Sequence, residues 1–248
     1  MPSKQQPARS KRQIIREQRM KRQRQQRLIA ILAVSLGAIA IAALLIVPSL
    51  KPVGEIAQIT PFDRPMVDGT AMGAPDAPVL IEVWVDFQCP ACRIFSEDIE
   101  PLIVQNYVAD GKVRYVFRHY PFLDDQSITK ESDQAANASM CASEQGRFWD
   151  YHDILFANWN SENVGAFSDK RLVAYAEALA LNMDSFDSCF EANKYKAQID
   201  EDLEEGKRVG VTGTPSLFVN GQQLNPGFIP SYDEISQAVE AVLAASGN

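Results

Sequence analysis

The stretch Val79-Leu-Ile-Glu-Val-Trp-Val-Asp-Phe-Gln-Cys-Pro-Ala-Cys92 decides how the whole sequence is interpreted. Its part from Val79 to Phe87 is mostly β-branched or aromatic, as is typical of a buried strand. Proline is favoured at the first position of a helix, and Pro90 directly follows Cys89. The stretch therefore predicts a strand and then a helix whose N-terminus carries Cys89.

Cys89 and Cys92 are spaced for thiol–disulfide exchange. Residues three apart share one face of a helix, so the two sulfur atoms can come within bonding reach. The unpaired N–H groups at a helix N-terminus favour an anion, which predicts a reactive thiolate at Cys89. Cys92 is then the resolving thiol that attacks the mixed disulfide formed at Cys89. The predicted catalytic residues are Cys89 and Cys92, and Pro90 and Ala91 between them are supporting residues.

A zinc site and an inert structural disulfide are the alternatives for this pair. Zinc needs two further ligands at compatible spacing, and Cys141 and Cys189 do not form a second C-x-x-C. His119 and His152 lie in aromatic stretches that are typical of packing. The sequence therefore predicts no metal ligands, and a tight Cys-Pro-x-Cys at a strand–helix junction is an unusual place for a purely structural bond.

Strand and helix patterns alternate through the rest of the body. The predicted order begins with a helix to about Val108 that Pro101 would kink, a strand over Val113–Arg118 and a helical block over about 127–208. It continues with a strand over Ser216–Val219, a turn at Asn220-Gly221 and a strand over Gln222–Leu224. The last element is a helix that opens with a capping box at Ser231–Glu234. This order predicts an α/β fold interrupted by a block of helices.

The N-terminal part carries a different signal. Residues 1–27 have a net charge of +9 and the remainder has −17, and 28–47 is a 20-residue run without a charge. A helix of that length spans about 30 Å, the thickness of a bilayer core, so 28–47 is the predicted transmembrane helix. The basic flank places residues 1–27 in the cytoplasm and the acidic body outside it, and that body argues against a nucleic-acid partner. A cleaved signal peptide is the alternative.

Residues 48–65 contain four prolines and are predicted to be an extended spacer that holds the body clear of the membrane. The folded domain is predicted to occupy 66–248.

Three segments of the body together resemble the DsbA-type thiol–disulfide oxidoreductases. They are Asp86-Phe-Gln-Cys-Pro-Ala-Cys92, Val211-Thr-Gly-Thr-Pro-Ser216 and Phe148-Trp-Asp-Tyr-His-Asp-Ile-Leu-Phe156. The resemblance covers about residues 66–245. It implies a thioredoxin-like α/β fold with an inserted helical domain, here preceded by an N-terminal transmembrane helix.

The resemblance also implies supporting residues around the redox pair. Thr214 and Pro215 would lie against the active site, with a cis bond before Pro215, and the Thr214 backbone would hydrogen-bond an extended substrate chain. Relatives often carry a buried acid six residues before the first cysteine, where this chain has Val83. Glu82 is one residue earlier and is therefore expected on the opposite face of the strand, as a paired or surface acid.

Cys141 and Cys189 are predicted to form a structural disulfide. They are the pair that remains if Cys89 bonds to Cys92, some family members have a second bond in this region, and disulfides persist outside the cytoplasm. Two free buried thiols and a second redox relay remain the alternatives.

The resemblance implies an extracytoplasmic enzyme that introduces disulfides into reduced or unfolded secreted or membrane proteins. A quinone-linked membrane partner would reoxidise it. No bound cofactor is expected, because the dithiol itself carries two electrons. A disulfide reductase or isomerase, and a non-enzymatic chaperone or metal carrier on the same fold, remain alternatives, since a fold does not fix a function.

Overall fold

The computed structural model describes residues 11–50 and 53–247. Lys4 and Arg9 of the predicted basic tail, Pro52 of the predicted spacer and Asn248 lie outside the described residues. The chain divides into two units, 1–52 and 53–248, which are described separately.

The N-terminal unit is one helix, α1 (Lys11–Leu50). Its stretch Arg19–Leu44 is long and apolar enough to cross a membrane and is exposed in the structure. The predicted segment 28–47 lies within α1, and the helix also extends back into the basic tail. The unit therefore has the length and composition of a membrane anchor or a signal sequence.

The second unit is built on a five-stranded sheet of order β1-β3-β2-β4-β5. Its strands are β1 (Ala71–Met72), β2 (Val79–Val85), β3 (Val113–His119), β4 (Ser216–Val219) and β5 (Gln222–Leu224). β2 and β3 are parallel, from Val79 opposite Val113 to Val85 opposite His119, whereas β4 runs antiparallel to β2. The predicted turn at Asn220-Gly221 joins β4 to β5, and both of its residues have positive φ. The short edge strand β1 was not foreseen from the sequence.

Helices cover this sheet. They are α2 (Pro90–Ile94), α3 (Glu100–Ile103), α4 (Glu131–Ser143), α5 (Phe148–Ala157), α6 (Asp169–Ala178), α7 (Met183–Glu191), α8 (Lys196–Arg208) and α9 (Tyr232–Ala245). A 3₁₀ helix, Phe122–Gln126, precedes α4. Helices α4 to α8 lie between β3 and β4 in the chain, and α9 opens with the predicted capping box of Ser231 and Glu234. The thioredoxin-like fold with inserted helices is therefore confirmed.

The predicted long helix after Cys89 is a chain of short helical pieces. π-helical turns, Phe95–Ile99 and Val104–Val108, follow α2 and α3 respectively. Pro101 has no N–H to donate, and it comes just after the first π-helical turn. Single π-helical turns are frequent at functional sites. The turn Phe95–Ile99 lies within two helical turns of Cys92.

Residues 53–65, part of the predicted spacer, pack on the second unit, and we call them the strap. The strap contains no helix or strand, and Ala57 exchanges two hydrogen bonds with the side-chain amide of Asn158, at 2.9 and 3.0 Å. The Arg64 side chain is 5% exposed and pairs with Asp153 at 2.8 Å and with Glu100 at 2.9 Å. A buried cation needs such partners, so the strap is part of the folded body.

Candidate active site

Cys89 is the N-cap residue of α2, with extended backbone angles of φ −71° and ψ 123°. Its N–H donates to the Asp86 carbonyl at 3.0 Å, and its own carbonyl accepts the Arg93 N–H at 3.2 Å. Both Cys89 and Cys92 are free thiols in the structure, and both are buried. The junction of β2 and α2 therefore places Cys89 at the start of the helix and Cys92 within it.

The loop before β4 completes the site. The Thr214–Pro215 peptide bond is cis, and the Cys89 thiol donates to the Thr214 carbonyl at 3.2 Å. These residues are 125 apart in sequence, so only the fold brings them together. The structure thus places Cys89, Cys92, Thr214 and Pro215 in one site, with Pro90 and Ala91 forming the first turn of α2.

The pKa values of the two thiols are shifted in opposite directions. The Cys92 thiol and the backbone N–H groups of Cys92 and Ala91 lower the pKa of Cys89 to about 6, although burial opposes them. Burial raises the pKa of Cys92 well above its usual value, and the charge of Cys89 adds to this effect. At neutral pH, Cys89 is therefore a thiolate and Cys92 a thiol.

The acid that relatives often carry beneath the redox pair is absent from this strand position. Val83 is fully buried in the core. Glu82 points to the opposite face of the sheet, where it forms an ion pair with Arg118 at 2.9 Å. Glu82 is therefore a paired acid with no contact to the cysteines.

Asp86, three residues before Cys89, is a buried acid that the sequence analysis did not predict as a site residue. Its carboxylate accepts three hydrogen bonds, from the Gln88 N–H at 2.9 Å, the Ser132 hydroxyl at 2.7 Å and the Leu123 N–H at 3.1 Å. Burial raises the pKa of Asp86 to about 7, and interaction with Cys89 contributes to the rise. A carboxylate inside the apolar run before the C-x-x-C was the signal in the sequence.

Gln88, directly before Cys89, is held by the inserted helices. Its side-chain amide donates to the Ser132 hydroxyl at 2.8 Å and accepts the Asn163 N–H at 2.7 Å. Its backbone carbonyl accepts the indole N–H of Trp159 at 2.7 Å. The insert therefore fixes the backbone on the N-terminal side of the redox pair.

Cys141 and Cys189 are joined by a disulfide that links α4 to α7. His119 packs among aromatic rings, and His152 contacts Asp153 and Ser96 through its two ring nitrogens. Within 11–50 and 53–247, no group of three or more His, Cys, Asp or Glu residues is arranged to hold a metal ion.

Comparison with protein families gives one match to this unit. A family model described as thioredoxin matches residues 66–241, more than half of the chain. The match contains both cysteine pairs and the Thr214–Pro215 segment, and the strap precedes it.

Curated relatives fall into two groups. Disulfide bond formation protein D of Bacillus subtilis is 26% identical over 191 residues, covering 73% of this chain and 80% of that protein. The Na(+)/H(+) antiporter NhaA 3 of Salinispora tropica is 32% identical over 174 residues, covering 70% of this chain. This chain spans only 24% of the antiporter's length.

Solved structures show the same fold. Oxidised BdbD from Bacillus subtilis superposes with a TM-score of 0.63 at 24% identity, over 73% of this chain and 96% of that one. A thioredoxin-like oxidoreductase from Silicibacter pomeroyi superposes with a TM-score of 0.58 at 25% identity, over 70% of this chain and 91% of that one.

Proposed function

The chain belongs to the thioredoxin family, among the thioredoxin-like oxidoreductases of the DsbA and BdbD type, and from this membership we propose that it is a membrane-anchored disulfide oxidase. The observation that carries the proposal is the Cys89 thiol, which lies at a helix N-terminus against the Thr214 carbonyl with its pKa lowered to about 6. The match to antiporters covers a quarter of their length, so ion transport is not part of the proposal.

The proposed cycle starts from a Cys89–Cys92 disulfide. A substrate thiolate attacks the Cys89 sulfur, a mixed disulfide forms, and Cys92 leaves and takes up a proton. A second substrate thiolate then attacks the substrate sulfur of the mixed disulfide, and Cys89 leaves as a thiolate. Two electrons pass from the substrate to the enzyme, and no bound cofactor takes part. Cys89 suits the leaving role because a thiol of low pKa leaves fast.

Oxidation is the favoured direction. A stabilised Cys89 thiolate stabilises the reduced enzyme, and a stable reduced form makes the disulfide a stronger oxidant. The raised pKa of Cys92 opposes the return reaction, because Cys92 must lose its proton before it can attack a mixed disulfide.

Reduced or unfolded chains delivered across the membrane are the proposed substrates. The Thr214 carbonyl oxygen lies 3.2 Å from the Cys89 sulfur. Because Cys89 has no proton either as a thiolate or in a mixed disulfide, this carbonyl is free to accept an N–H from an extended substrate.

We place the enzyme in the cell membrane through residues 28–47, with residues 1–27 in the cytoplasm and the redox domain outside. The charge asymmetry across α1 supports this orientation. A quinone-linked membrane protein is the proposed reoxidising partner. A reporter enzyme that works only outside the cytoplasm, fused after Asn248, should be active. An inactive fusion, together with activity of a second reporter that works only in the cytoplasm, overturns the topology.

The equilibrium with glutathione tests the direction of the reaction. A reduction potential between about −120 and −180 mV supports an oxidase or isomerase, whereas about −270 mV identifies a reductase. Oxidative refolding of a reduced substrate, compared with refolding from scrambled disulfides, then separates an oxidase from an isomerase. A chaperone would keep its activity in Cys89→Ala, whereas the proposed enzyme loses it.

A further inference from the structure

The proposed cycle gives no role to the buried carboxylate of Asp86. Asp86 is 1% exposed, and its carbonyl accepts the N–H of Cys89. Its carboxylate interacts electrostatically with the Cys89 sulfur. Burying an ionisable group costs free energy, so a carboxylate placed beside a second potential anion calls for an explanation.

Neutral donors hold this carboxylate. One oxygen accepts the Gln88 N–H and the Ser132 hydroxyl, and the other accepts the Leu123 N–H. Ser132 has a single hydroxyl proton, and its oxygen already accepts the Gln88 side-chain amide, so this proton is directed at Asp86. These donors stabilise the ionised form, but none of them cancels its charge.

The neighbouring elements add few charges. Cys89 faces Asp86 from α2. Asp124 of the 3₁₀ helix accepts the Gln88 side-chain amide at 3.3 Å and the Ser132 backbone N–H at 3.2 Å. Lys130 and Asp133, at the start of α4, contact Asp124 through its carbonyl and its carboxylate respectively. His119 packs against Phe87, and burial lowers its pKa to about 3, so it is neutral at physiological pH. The Cys89 thiolate is therefore the charge that changes beside Asp86 during the cycle.

We propose that Asp86 is a positioning residue that takes up a proton when the Cys89–Cys92 disulfide is reduced, and that its negative charge restrains the oxidising strength of the pair. With glutathione as reductant, two glutathione thiols become one glutathione disulfide, and the enzyme gains two electrons. One thiol proton goes to Cys92, and Cys89 remains a thiolate. The second proton goes to Asp86 near neutral pH and to solvent at higher pH.

Electrostatics gives the direction of this coupling. In the oxidised protein Cys89 carries no charge, so Asp86 keeps its proton less readily than in the reduced protein. In the reduced protein, repulsion from the thiolate contributes to the rise in the pKa of Asp86 to about 7. Asp86 thus gives this chain a buried proton acceptor although the strand position beneath the site is Val83.

The test is the equilibrium constant for reduction of the full-length protein by glutathione, measured from pH 6.5 to 8.5 and expressed for the protonated glutathione thiol, because that thiol itself titrates near pH 8.5. A reaction that releases one proton changes this constant about tenfold per pH unit. Asp86→Asn should approach that full slope from about pH 7 upward, where Cys89 is almost entirely a thiolate. At pH 7 it should favour the reduced form more than the wild type does. The wild type should rise less steeply than Asp86→Asn near pH 7 and approach the same slope above pH 8.

Two further variants complete the design. Ser132→Ala keeps the Asp86 carboxylate but removes one of its hydrogen-bond donors, which should raise the pKa of Asp86. The pH range in which the equilibrium constant rises less steeply should therefore move to higher pH. Glu82→Gln removes an acid on the opposite face of the sheet and should match the wild type.

A wild-type slope near pH 7 as steep as that of Asp86→Asn, or an Asp86→Asn curve that coincides with the wild-type curve, overturns the inference. If Asp86→Asn does not fold, the wild-type slope and Ser132→Ala decide the question. The inference rests on the proposed function but fails separately from it. A wild type that does not equilibrate with glutathione refutes the function, whereas one that equilibrates with the same slope as Asp86→Asn refutes only the role of Asp86.

Discussion

The two cysteine pairs belong to the same hydrophobic core and are equally buried, yet their chemistry differs. Cys89 and Cys92 are 7% and 1% exposed, and Cys141 and Cys189 are 1% and 4% exposed. Burial therefore does not separate a reactive pair from an inert one. The difference lies in the backbone around each sulfur atom.

Cys89 precedes the first turn of a helix, where the N–H groups of Ala91 and Cys92 are available to a thiolate. Cys141 and Cys189 lie inside α4 and α7, where backbone N–H groups are paired along the helix. A thiolate leaving either of these positions gains no comparable stabilisation. The comparison predicts that the first pair exchanges and the second holds two helices together.

The largest effect is expected from removing each thiol of the redox pair. Cys89→Ser should reduce exchange to the background rate and trap no substrate. Cys92→Ser should also stop turnover, because the Cys89–Cys92 disulfide cannot form. Offered a protein that contains a disulfide, its Cys89 thiolate should accumulate mixed disulfides, because no second thiol of the enzyme remains to attack them. Non-reducing gels and mass mapping distinguish these outcomes. Mixed disulfides that accumulate at Cys92 in Cys89→Ser would reverse the roles.

A pH effect of the order of 4 kcal/mol is expected for the reduced protein. The folded state lowers the pKa of Cys89 from the value of an unperturbed thiol to about 6, so the thiolate stabilises the fold. This contribution is fully present above the unfolded-state value and is lost as pH falls through about 6. Urea unfolding of the reduced wild type and Cys89→Ser, compared between pH 6 and 9, isolates it. A stability difference that does not change with pH would contradict the assignment.

Removing the second disulfide should lower stability and leave exchange intact. Cys141→Ala with Cys189→Ala should cost about 2–5 kcal/mol of unfolding free energy. The wild-type bond should also resist a mild reductant that opens Cys89–Cys92. Equilibrium unfolding and the exchange rate, measured on the same preparation, check both statements. A variant that loses exchange while still folded would show that the second pair takes part in the chemistry.

The smallest effect concerns the indole above the redox loop. Trp159→Phe removes the hydrogen bond to the Gln88 carbonyl and should cost about 1 kcal/mol. Trp149→Phe is the matched control, because the Trp149 indole N–H has no hydrogen-bond partner among the described residues. Slower exchange in Trp159→Phe alone would mean that the insert positions Cys89. Equal slowing of exchange in both variants would mean that Trp159 contributes only through packing.

The local features of the fold were readable from the sequence. The strands at Val113 and Ser216, the Asn220-Gly221 turn and the Ser231 cap each depend on short-range patterns, and the structure contains all of them. The face of Glu82 also followed from strand periodicity, since its neighbour Val83 is buried and Glu82 pairs with Arg118.

Features that depend on distant contacts were not readable. The sequence presents 53–65 as a proline-containing spacer, but Arg64 is buried because Glu100 and Asp153 meet it from elements 36 and 89 residues away. Likewise, the environment of Asp86 is made by Leu123 and Ser132, which the fold brings to it. Periodicity cannot report partners that far away in the chain.

The pH dependence of alkylation tests the central claim most directly. The reduced full-length protein, with Cys141–Cys189 intact, is treated briefly with iodoacetamide from pH 4 to 10, and the modified residues are mapped by mass. Cys89 should react with a midpoint at about pH 6, and Cys92 should remain unmodified in the folded protein. A Cys89 midpoint near pH 8.5, the value of an unperturbed thiol, or faster modification of Cys92, would contradict the account.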